Sequence, residues 1–414
     1  MKLPLPKRRT LKIYNGRILT PDRVIPKGTV VVREGKIVEV VEGDCQAGDA
    51  IAIDARGMYI SPGFIDMHVH GGGGHDFMDG TVEAFLRIAE THARYGTTAL
   101  MPTTLTSTKE ALFGVFERYK EAVAQNTRGA RFLGLHLEGP YFAMSQRGAQ
   151  DPRFIRHPDP VEYREILARS AAGPGEAPAP YLIKRWSAAP ELEGAIPFAR
   201  FLRSSGVLVA LAHTDALYEE ALKGFENGFT LATHFYCCMS GVTRRNAYRY
   251  AGAIECAYLT EMDVEVIADG VHVPAPLLQL IYKIKGPERT ALVTDAMRAA
   301  GMPEGESVLG NLHDGLRVIV EDGVAKLPDR GSFAGSVATA DRLVRTMIKE
   351  AGVSLSEAVR MITATPARIL GVGDRLGALA PGMEADIVLF NDDIEVDMTI
   401  VGGKIIYAND CKEV

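Results

Sequence analysis

The alternation of short apolar runs with amphipathic stretches constrains the fold of this chain more than any other feature. Eight candidate strands end near His68, Pro102, Glu138, Ala188, His213, His234, Asp269 and Asp295. Helical periodicity lies between them, for example in residues 82–95, 109–125, 161–170 and 195–204. Eight strands that are each followed by a helix are typical of a (β/α)8 barrel. We therefore predict an α/β protein built around a TIM barrel.

The two ends of the chain have a different pattern. Residues 11–60 contain short runs rich in β-branched residues, separated by turns such as Asn15-Gly16 and Arg56-Gly57, and residues 385–407 repeat this pattern. We predict that the two segments pair into a small β-sandwich domain made of residues 1–61 and 376–414. Residues 62–375 would form the catalytic barrel, with a connecting loop at 171–180 and a hairpin at 316–326 inserted after strand eight.

Five of the predicted strands end in residue types that bind metals. The sequence His68-Val69-His70 ends the first strand, and Glu138, His213, His234 and Asp295 end four others. The carboxyl ends of barrel strands meet at one rim, and residues two apart on a strand share a face. We therefore expect one or two divalent metal ions there. Imidazole with carboxylate favours zinc, and iron, manganese or cobalt are the alternatives.

This set of residues indicates hydrolysis. A bound metal lowers the pKa of its water to about 7, so that hydroxide is available at neutral pH, and it polarises a carbonyl under attack. Asp295 can take the proton of the water and pass it to a departing nitrogen. The sequence contains no G-x-S-x-G motif, which argues against a covalent acyl-enzyme.

Other histidines need no such role. A lone buried histidine is usually structural, and we interpret His75, His92, His157 and His313 in this way. A structural role is also favoured for His136, with contact to the metal or its surroundings as the alternative because it shares strand three with Glu138. His272, just after strand seven, is interpreted as facing the substrate. Residues 71–74 are predicted to form a tight mobile loop near the metal rather than a phosphate cradle.

Composition excludes several classes of function. The net charge of −6 gives no basic surface for nucleic acid, and no run of 18 apolar residues predicts a membrane span. Residues 1–10 are basic but lack the apolar stretch of a signal peptide. The five cysteines are few and scattered, which favours reduced thiols and a cytoplasmic location.

At these motifs the chain resembles the N-acetylglucosamine-6-phosphate deacetylases of the amidohydrolase superfamily, over nearly its whole length. The resemblance lies in residues 62–71, 136–141, 212–214, 233–236, 268–272, 294–297, 334–336, 365–367 and 377–386. The segments around Glu138 and at 268–272 are the more specific ones. The resemblance implies deacetylation of N-acetylglucosamine 6-phosphate to glucosamine 6-phosphate and acetate.

The resemblance also implies roles for single residues. Glu138, His213 and His234 would hold the metal common to the family, and His68 with His70 a second one bridged by Glu138. Asp295 would be the general base and acid, and His272 would hydrogen-bond the substrate and polarise its carbonyl. The implied substrate contacts are Ala149, Gln150, His272, Phe333, Ala334 and Gly335, with Arg244 or Arg245 reaching the substrate phosphate of a partner in a homodimer.

The departures from the family fall on substrate recognition. Cys237-Cys238 stands where the family has Asn-Ala, which makes both cysteines candidate substrate contacts, and Gln150 stands where the family often has histidine. Losing an asparagine removes a donor and an acceptor, and nearby arginines can compensate. Cys237 is interpreted as a buried small residue, with an approach to the metal as the alternative.

These departures leave three hypotheses. The first is deacetylation of the phosphosugar. The second is hydrolysis of another N-acyl amino sugar, an N-acyl amino acid or a cyclic amide. The third is a non-catalytic homologue that binds sugars or a partner, against which the intact Asp295 and the complete set of metal-binding residue types argue.

Overall fold

The computed structural model describes residues 10–21, 23–171 and 181–409. Its strands in chain order are β1 (Leu11–Leu19), β2 (Val24–Arg33), β3 (Lys36–Glu42), β4 (Ile51–Asp54), β5 (Tyr59–Pro62), β6 (Phe64–Val69), β7 (Gly71–Gly72), β8 (His75–Asp76), β9 (Thr97–Thr104), β10 (Arg131–Phe132), β11 (Leu135–Glu138), β12 (Ile183–Ala188), β13 (Leu208–Leu211), β14 (Phe229–Ala232), β15 (Thr243–Arg245), β16 (Tyr248–Tyr250), β17 (Asp263–Val266), β18 (Thr290–Leu292), β19 (Gly305–Leu309), β20 (Leu316–Glu321), β21 (Val324–Lys326), β22 (Phe333–Ser336), β23 (Ile387–Phe390), β24 (Val396–Val401) and β25 (Lys404–Ala408). Its α-helices are α1 (Val82–Ala93), α2 (Lys109–Gln125), α3 (Pro160–Arg169), α4 (Ala195–Ser204), α5 (Tyr218–Glu226), α6 (Ala253–Leu259), α7 (Ala275–Arg289, interrupted at Gly286), α8 (Ala340–Lys349), α9 (Leu355–Ile362) and α10 (Ala364–Ile369).

The central sheet is a parallel barrel. Its strands follow the order β6, β9, β11, β12, β13, β14, β17, β18, and each neighbouring pair runs parallel. A parallel bridge between Val69 and Ala296 joins the end that follows β18 to the end of β6 and brings the first and last strands together. The eight strands are those predicted from the sequence, and the (β/α)8 fold is confirmed.

The helices around the barrel begin at local sequence signals. The hydroxyl of Thr108 accepts a hydrogen bond from the backbone N–H of Ala111 at the start of α2, and Asp159 caps α3 ahead of a proline in its first turn. Such caps satisfy N–H groups that have no partner within the helix. The predictions for α2 and α4 match the structure residue for residue, and those for α1 and α3 differ by one or two residues at one or both ends.

The two ends of the chain pair with each other, as predicted, and form one separate sheet. Its order is β25, β24, β23, β5, β1, β2, β3, with β4 paired to β1. The junction is the antiparallel pairing of β23 with β5, in which Ile387 lies opposite Pro62. Side chains such as Ile13, Val30 and Leu389 make an apolar core of its own for this sheet. The exact domain boundaries remain a prediction.

The predicted insertion after strand eight is present as β20 and β21, which belong to a four-stranded antiparallel sheet running from β19 to β22. Residues 71–74 form the first strand and the turn of a short hairpin in which β7 pairs with β8. The predicted loop at 171–180 lies outside the described residues apart from its first residue. Among the helices that the structure describes, none is both long and apolar enough to cross a bilayer.

Candidate active site

Six potential metal-binding side chains converge at the carboxyl ends of the barrel strands. They are His68, His70, Glu138, His213, His234 and Asp295, and all are between 0% and 7% exposed. Glu138 is the last residue of β11, whereas β13, β14 and β18 end two or three residues before the polar residue that the sequence places at their ends.

The reason for these shorter strands is the backbone conformation of the polar residues. His213, His234 and Asp295 have φ angles of 45°, 33° and 47°, in the left-handed region that a strand cannot include. Such a conformation costs on the order of 1–3 kcal/mol in a residue other than glycine and is concentrated at functional sites. It turns each side chain towards the mouth of the barrel.

His68, His70 and Asp295 form the first group of ligand atoms. The Nε2 atoms of the two histidines lie 3.2 Å apart, and they lie 3.3 Å and 3.2 Å from Oδ1 of Asp295. The two imidazoles thus face the same point, as their spacing in the sequence predicts. Asp295 therefore has the position of a metal ligand as well as that of a base.

Glu138, His213 and His234 form the second group. Oε1 of Glu138 lies 3.1 Å from Nε2 of His234 and 3.6 Å from Nε2 of His213, and these two nitrogens are 3.2 Å apart. The same carboxylate lies 3.4 Å from His68 and 3.3 Å from His70. Glu138 thus stands between the two groups, where a bridging ligand would have to be.

The chemistry of these side chains fits a divalent cation. Two imidazole nitrogens that point at each other across 3.2 Å can share at most one hydrogen bond, and the structure has two such pairs, His68 with His70 and His213 with His234. In each group, the facing nitrogens and carboxylate oxygens would be able to hold one cation. Nitrogen and oxygen ligands of this kind suit zinc and its neighbours in the first transition row.

The electrostatics of the cluster agree with this interpretation. Burial acts to raise the pKa of Glu138, but the surrounding His68, His213 and His234 hold it well below its usual range. Burial likewise opposes ionisation of Asp295, and the neighbouring His68 and His70 lower its pKa to about 2. Both carboxylates are therefore anionic at neutral pH and available to a cation.

A buried ion pair lies behind the first group. Oε2 of Glu265 on β17 is 3.5 Å from Nδ1 of His68, the nitrogen on the far side of the ring from the cluster. Glu265 accepts hydrogen bonds from both terminal nitrogens of Arg185 on β12, and neither side chain is exposed. A carboxylate behind a ligating histidine fixes the orientation of the ring. This pair was not predicted from the sequence, although opposite charges inside two barrel strands were a readable signal.

A cavity of about 560 Å³ opens above the cluster. Of the residues predicted to contact the substrate, the cavity is lined by Ala149, Gln150, Cys237, Cys238, His272, Phe333 and Gly335. Nδ1 of His272 donates to Asp269 at 2.8 Å, which leaves Nε2 as the ring atom available to a substrate. The ring of Phe333 lies 4.6 Å from that of His272, so the two form one wall.

Gln150 has a second contact that the sequence did not reveal. Its Nε2 donates to Oε2 of Glu138 at 2.7 Å, and its Oε1 accepts from the backbone N–H of Thr106 at 2.9 Å. Gln150 therefore holds the bridging carboxylate in place in addition to lining the cavity.

Other predicted residues lie away from the cavity. Ala334 is fully buried in an apolar cluster beneath it. Arg244 and Arg245 are exposed on the hairpin of β15 and β16 and do not line the cavity of their own chain. His136 lies between the hydroxyls of Thr103 and Ser187, at 3.2 Å and 2.7 Å, and belongs to neither ligand group.

The cavity also has residues that sequence analysis did not identify. Tyr236, Ile267, Leu309, Lys326, Arg330 and Ser332 line it. Most of them lie on or near the sheet that follows strand eight, which was recognised as a hairpin without any link to the site. No motif marks them, because their place depends on how that hairpin folds back over the barrel.

Comparisons with known proteins agree with this geometry. The sequence model of the amidohydrolase family matches residues 59–406. The N-acetylgalactosamine-6-phosphate deacetylase of Escherichia coli O157:H7 is 34% identical over 349 residues, 84% of this chain and 87% of that protein. The N-acetylglucosamine-6-phosphate deacetylase of Bacillus subtilis (strain 168) is 32% identical over 407 residues, 96% of this chain and 97% of that protein.

A solved structure extends the comparison to three dimensions. It is a mutant N-acetyl-D-glucosamine-6-phosphate deacetylase from Mycobacterium smegmatis in complex with N-acetyl-D-glucosamine-6-phosphate. It matches with a TM-score of 0.86 and 30% identity, over 97% of this chain and 100% of that chain. The chain therefore belongs to the amidohydrolase family and, within it, to the group that contains the N-acetylglucosamine-6-phosphate deacetylases.

Proposed function

We propose that this protein is a hydrolase that removes the acetyl group from N-acetylglucosamine 6-phosphate, giving glucosamine 6-phosphate and acetate. The observation that carries the proposal is the convergence of four imidazoles and two carboxylates at the floor of a cavity of about 560 Å³. The relatives from Bacillus subtilis and Mycobacterium smegmatis, which match 96% and 97% of this chain at 32% and 30% identity, are N-acetylglucosamine-6-phosphate deacetylases. Hydrolysis of another class of amide has no comparable support.

We propose two metal positions. Glu138, His213 and His234 would hold one divalent ion, and His68, His70 and Asp295 a second, with Glu138 between them. A bound ion of this kind supplies acidified water and polarises a carbonyl. Zinc is our first candidate because of the nitrogen-rich ligand set, with iron, manganese and cobalt as alternatives.

The remaining roles fall to side chains that face the cavity. Asp295 is anionic and would take a proton from water and deliver it to the amine nitrogen as the C–N bond breaks. His272, oriented by Asp269, would hydrogen-bond the acetamide. Gln150 keeps Glu138 in position, and Phe333 with Cys237 and Cys238 would shape the space for the sugar.

The galacto epimer is a second candidate substrate. The Escherichia coli relative, 34% identical to this chain, is an N-acetylgalactosamine-6-phosphate deacetylase. The two sugars differ only in the configuration of one hydroxyl, and a pocket that hydrogen-bonds a hydroxyl can discriminate strongly between such isomers. The assay must therefore include both epimers.

We also propose a homodimer in a reducing, cytoplasmic environment. The hairpin of β15 and β16 is exposed along its length, with Tyr248 73% exposed, and it carries Arg244 and Arg245 outside their own cavity. In a symmetric dimer such a hairpin can reach the site of the partner. Four cysteines in the described part of the chain are free thiols, which supports a reducing compartment.

The experiment is acetate release from metal-free protein reconstituted separately with zinc, iron, manganese and cobalt. The substrates are N-acetylglucosamine 6-phosphate, N-acetylgalactosamine 6-phosphate and unphosphorylated N-acetylglucosamine. We expect turnover of a phosphorylated sugar with at least one metal. No acetate from any of the three sugars with any metal would refute the proposal. Sedimentation of a fully active monomer would refute the dimer.

A further inference from the structure

We propose that Lys326 and Arg330 of the same chain form the anion site that holds the phosphate of the substrate. This inference rests on the proposed function. Within residues 10–21, 23–171 and 181–409, they are the only lysine and arginine that line the cavity above the cluster. Arg244 and Arg245, the candidates suggested by the sequence, do not line the cavity of their own chain and could contribute only to that of a partner.

The strand β22 sets the distance between this site and the reacting group. At one end, the backbone N–H of Ser336 donates to the carbonyl of Asp295 at 2.8 Å. At the other end, Phe333 lies opposite Lys326 in the pairing of β22 with β21. Three steps along an extended strand span roughly 10 Å. The two ends of the strand thus lie beside the carboxylate that would act on the acetamide and beside a cation.

A hexosamine 6-phosphate has the matching arrangement. Its acetamide and its phosphate project from opposite sides of one sugar ring, so a site for both needs a cation across the cavity from the metal cluster. The wall between the two ends is made by Phe333 against His272, with their rings 4.6 Å apart. An aromatic ring suits the apolar face of a sugar, and His272 can hydrogen-bond its substituents.

Lys326 and Arg330 both keep N–H donors that their described contacts do not use. Arg330 donates through Nε and one terminal nitrogen to Glu321 and through the other to the carbonyl of Pro328, which uses three of its five N–H groups in the contacts described. Lys326 lies 2.7 Å from Asp322 and 3.4 Å from Glu321, which uses two of its three. Three N–H groups therefore remain for a phosphate.

The acidic partners position the cations without closing the site. Glu321 contacts both Lys326 and Arg330 and is 34% exposed, whereas Asp322 is 79% exposed. Exposed ion pairs of this kind are weak and exchange readily for a more highly charged partner. A dianionic phosphate can add to the free donors or replace a carboxylate, and guanidinium matches its geometry.

This arrangement also accounts for the departure at Cys237-Cys238. Both thiols line the same cavity, and neither offers the donors of an amide side chain. Within one chain, the anion would then be recognised from the sheet that follows strand eight and not by an amide side chain at Cys237 or Cys238. Selection for a phosphorylated sugar is retained with a different set of donors.

The test compares Lys326→Met, Arg330→Met and the double variant with wild type. The readout is the ratio of kcat/KM on N-acetylglucosamine 6-phosphate to kcat/KM on N-acetylglucosamine. Losing a hydrogen bond from a charged donor to a phosphate costs a factor of about 10 to 100. We expect the ratio to fall by that factor for each single variant, through KM, and further for the double. Lys326→Arg should retain most of the ratio.

Arg317→Gln is the matched control, because Arg317 lies on β20 of the same sheet, is 85% exposed and does not line the cavity. An unchanged ratio in the double variant, or an equal fall in Arg317→Gln, would overturn the inference. So would a fall confined to an Arg244→Gln, Arg245→Gln double variant. Wild type that cleaves none of the three sugars named under the proposed function would instead refute that function. In that case calorimetric binding of glucosamine 6-phosphate, with glucosamine as reference, still decides whether Lys326 and Arg330 bind the phosphate.

Discussion

Replacing Glu265 with glutamine should weaken metal binding and stability together. Glu265 and Arg185 are both completely buried, and the pair is joined by hydrogen bonds to each carboxylate oxygen. Removing one charge of such a pair leaves the other uncompensated, at a cost of about 3–5 kcal/mol. The free energy of unfolding of the metal-free Glu265→Gln protein in urea should fall by that amount.

The effect on metal binding follows from the contact with His68. Glu265 lies 3.5 Å from Nδ1 of His68, whose Nε2 faces the cluster. Losing a partner behind a ligating histidine lowers metal affinity by about 10- to 100-fold, which corresponds to about 1.4–2.8 kcal/mol. Competition with a chromophoric chelator measures this change directly.

Asp386→Asn separates the two effects. Asp386 is also buried and paired with an arginine, Arg131, but it joins the barrel to the terminal sheet and contacts none of the six ligands. The Asp386→Asn substitution should lower the free energy of unfolding and leave metal affinity unchanged. A Glu265→Met, Arg185→Met double variant should recover part of the stability, since no buried charge is left alone, while metal binding stays weak. Wild-type metal affinity in Glu265→Gln would refute the reasoning.

Two further predictions concern the cluster itself. Asp295→Asn should lower kcat by about 10²- to 10⁴-fold. It should remove at most one metal per chain, because Glu138, His213 and His234 remain. Turnover and metal content measured on one sample check both expectations, and an unchanged kcat would contradict the first. Burial opposes protonation of His70, but Asp295 and Glu138 raise its pKa to about 10 in the metal-free protein. The ring is therefore charged at pH 8 and must lose its proton to bind metal. Calorimetry at pH 8 in two buffers of different ionisation enthalpy should therefore report proton release, and equal heats in both buffers would contradict it.

The barrel and its ligand set could be predicted because both leave local signals. A run of apolar residues that ends in histidine or a carboxylate is visible at His213 and Asp295 without any knowledge of the fold. The rule that barrel strands meet at one rim then brings distant residues together. The pairing of His68 with His70 on one face follows from the two-residue period of a strand.

The other features of the site depend on contacts between distant segments, and no sequence motif indicates that these segments meet. The strands that end at Leu211, Ala232 and Leu292 were predicted to extend further. The pattern of apolar residues gives no sign that the backbone of a following residue is in the left-handed region. Arg185 and Glu265 are far apart in sequence, and only the closed barrel makes them partners. The cavity wall at Lys326 and Arg330 depends on the fold of an inserted sheet over the barrel, which residue spacing does not encode.

The terminal sheet implies an order of events during synthesis. Its middle pairing joins Pro62 to Ile387, so β5 has no β23 beside it until the whole barrel has been translated. At 5–20 residues per second that interval lasts roughly 15 to 65 s. During this time the apolar face formed by side chains such as Ile13 and Val30 lacks the carboxyl-terminal side chains, such as Leu389, that pack in the same cluster. We therefore expect the amino-terminal strands to keep part of this apolar face exposed until the end of the chain pairs with its beginning.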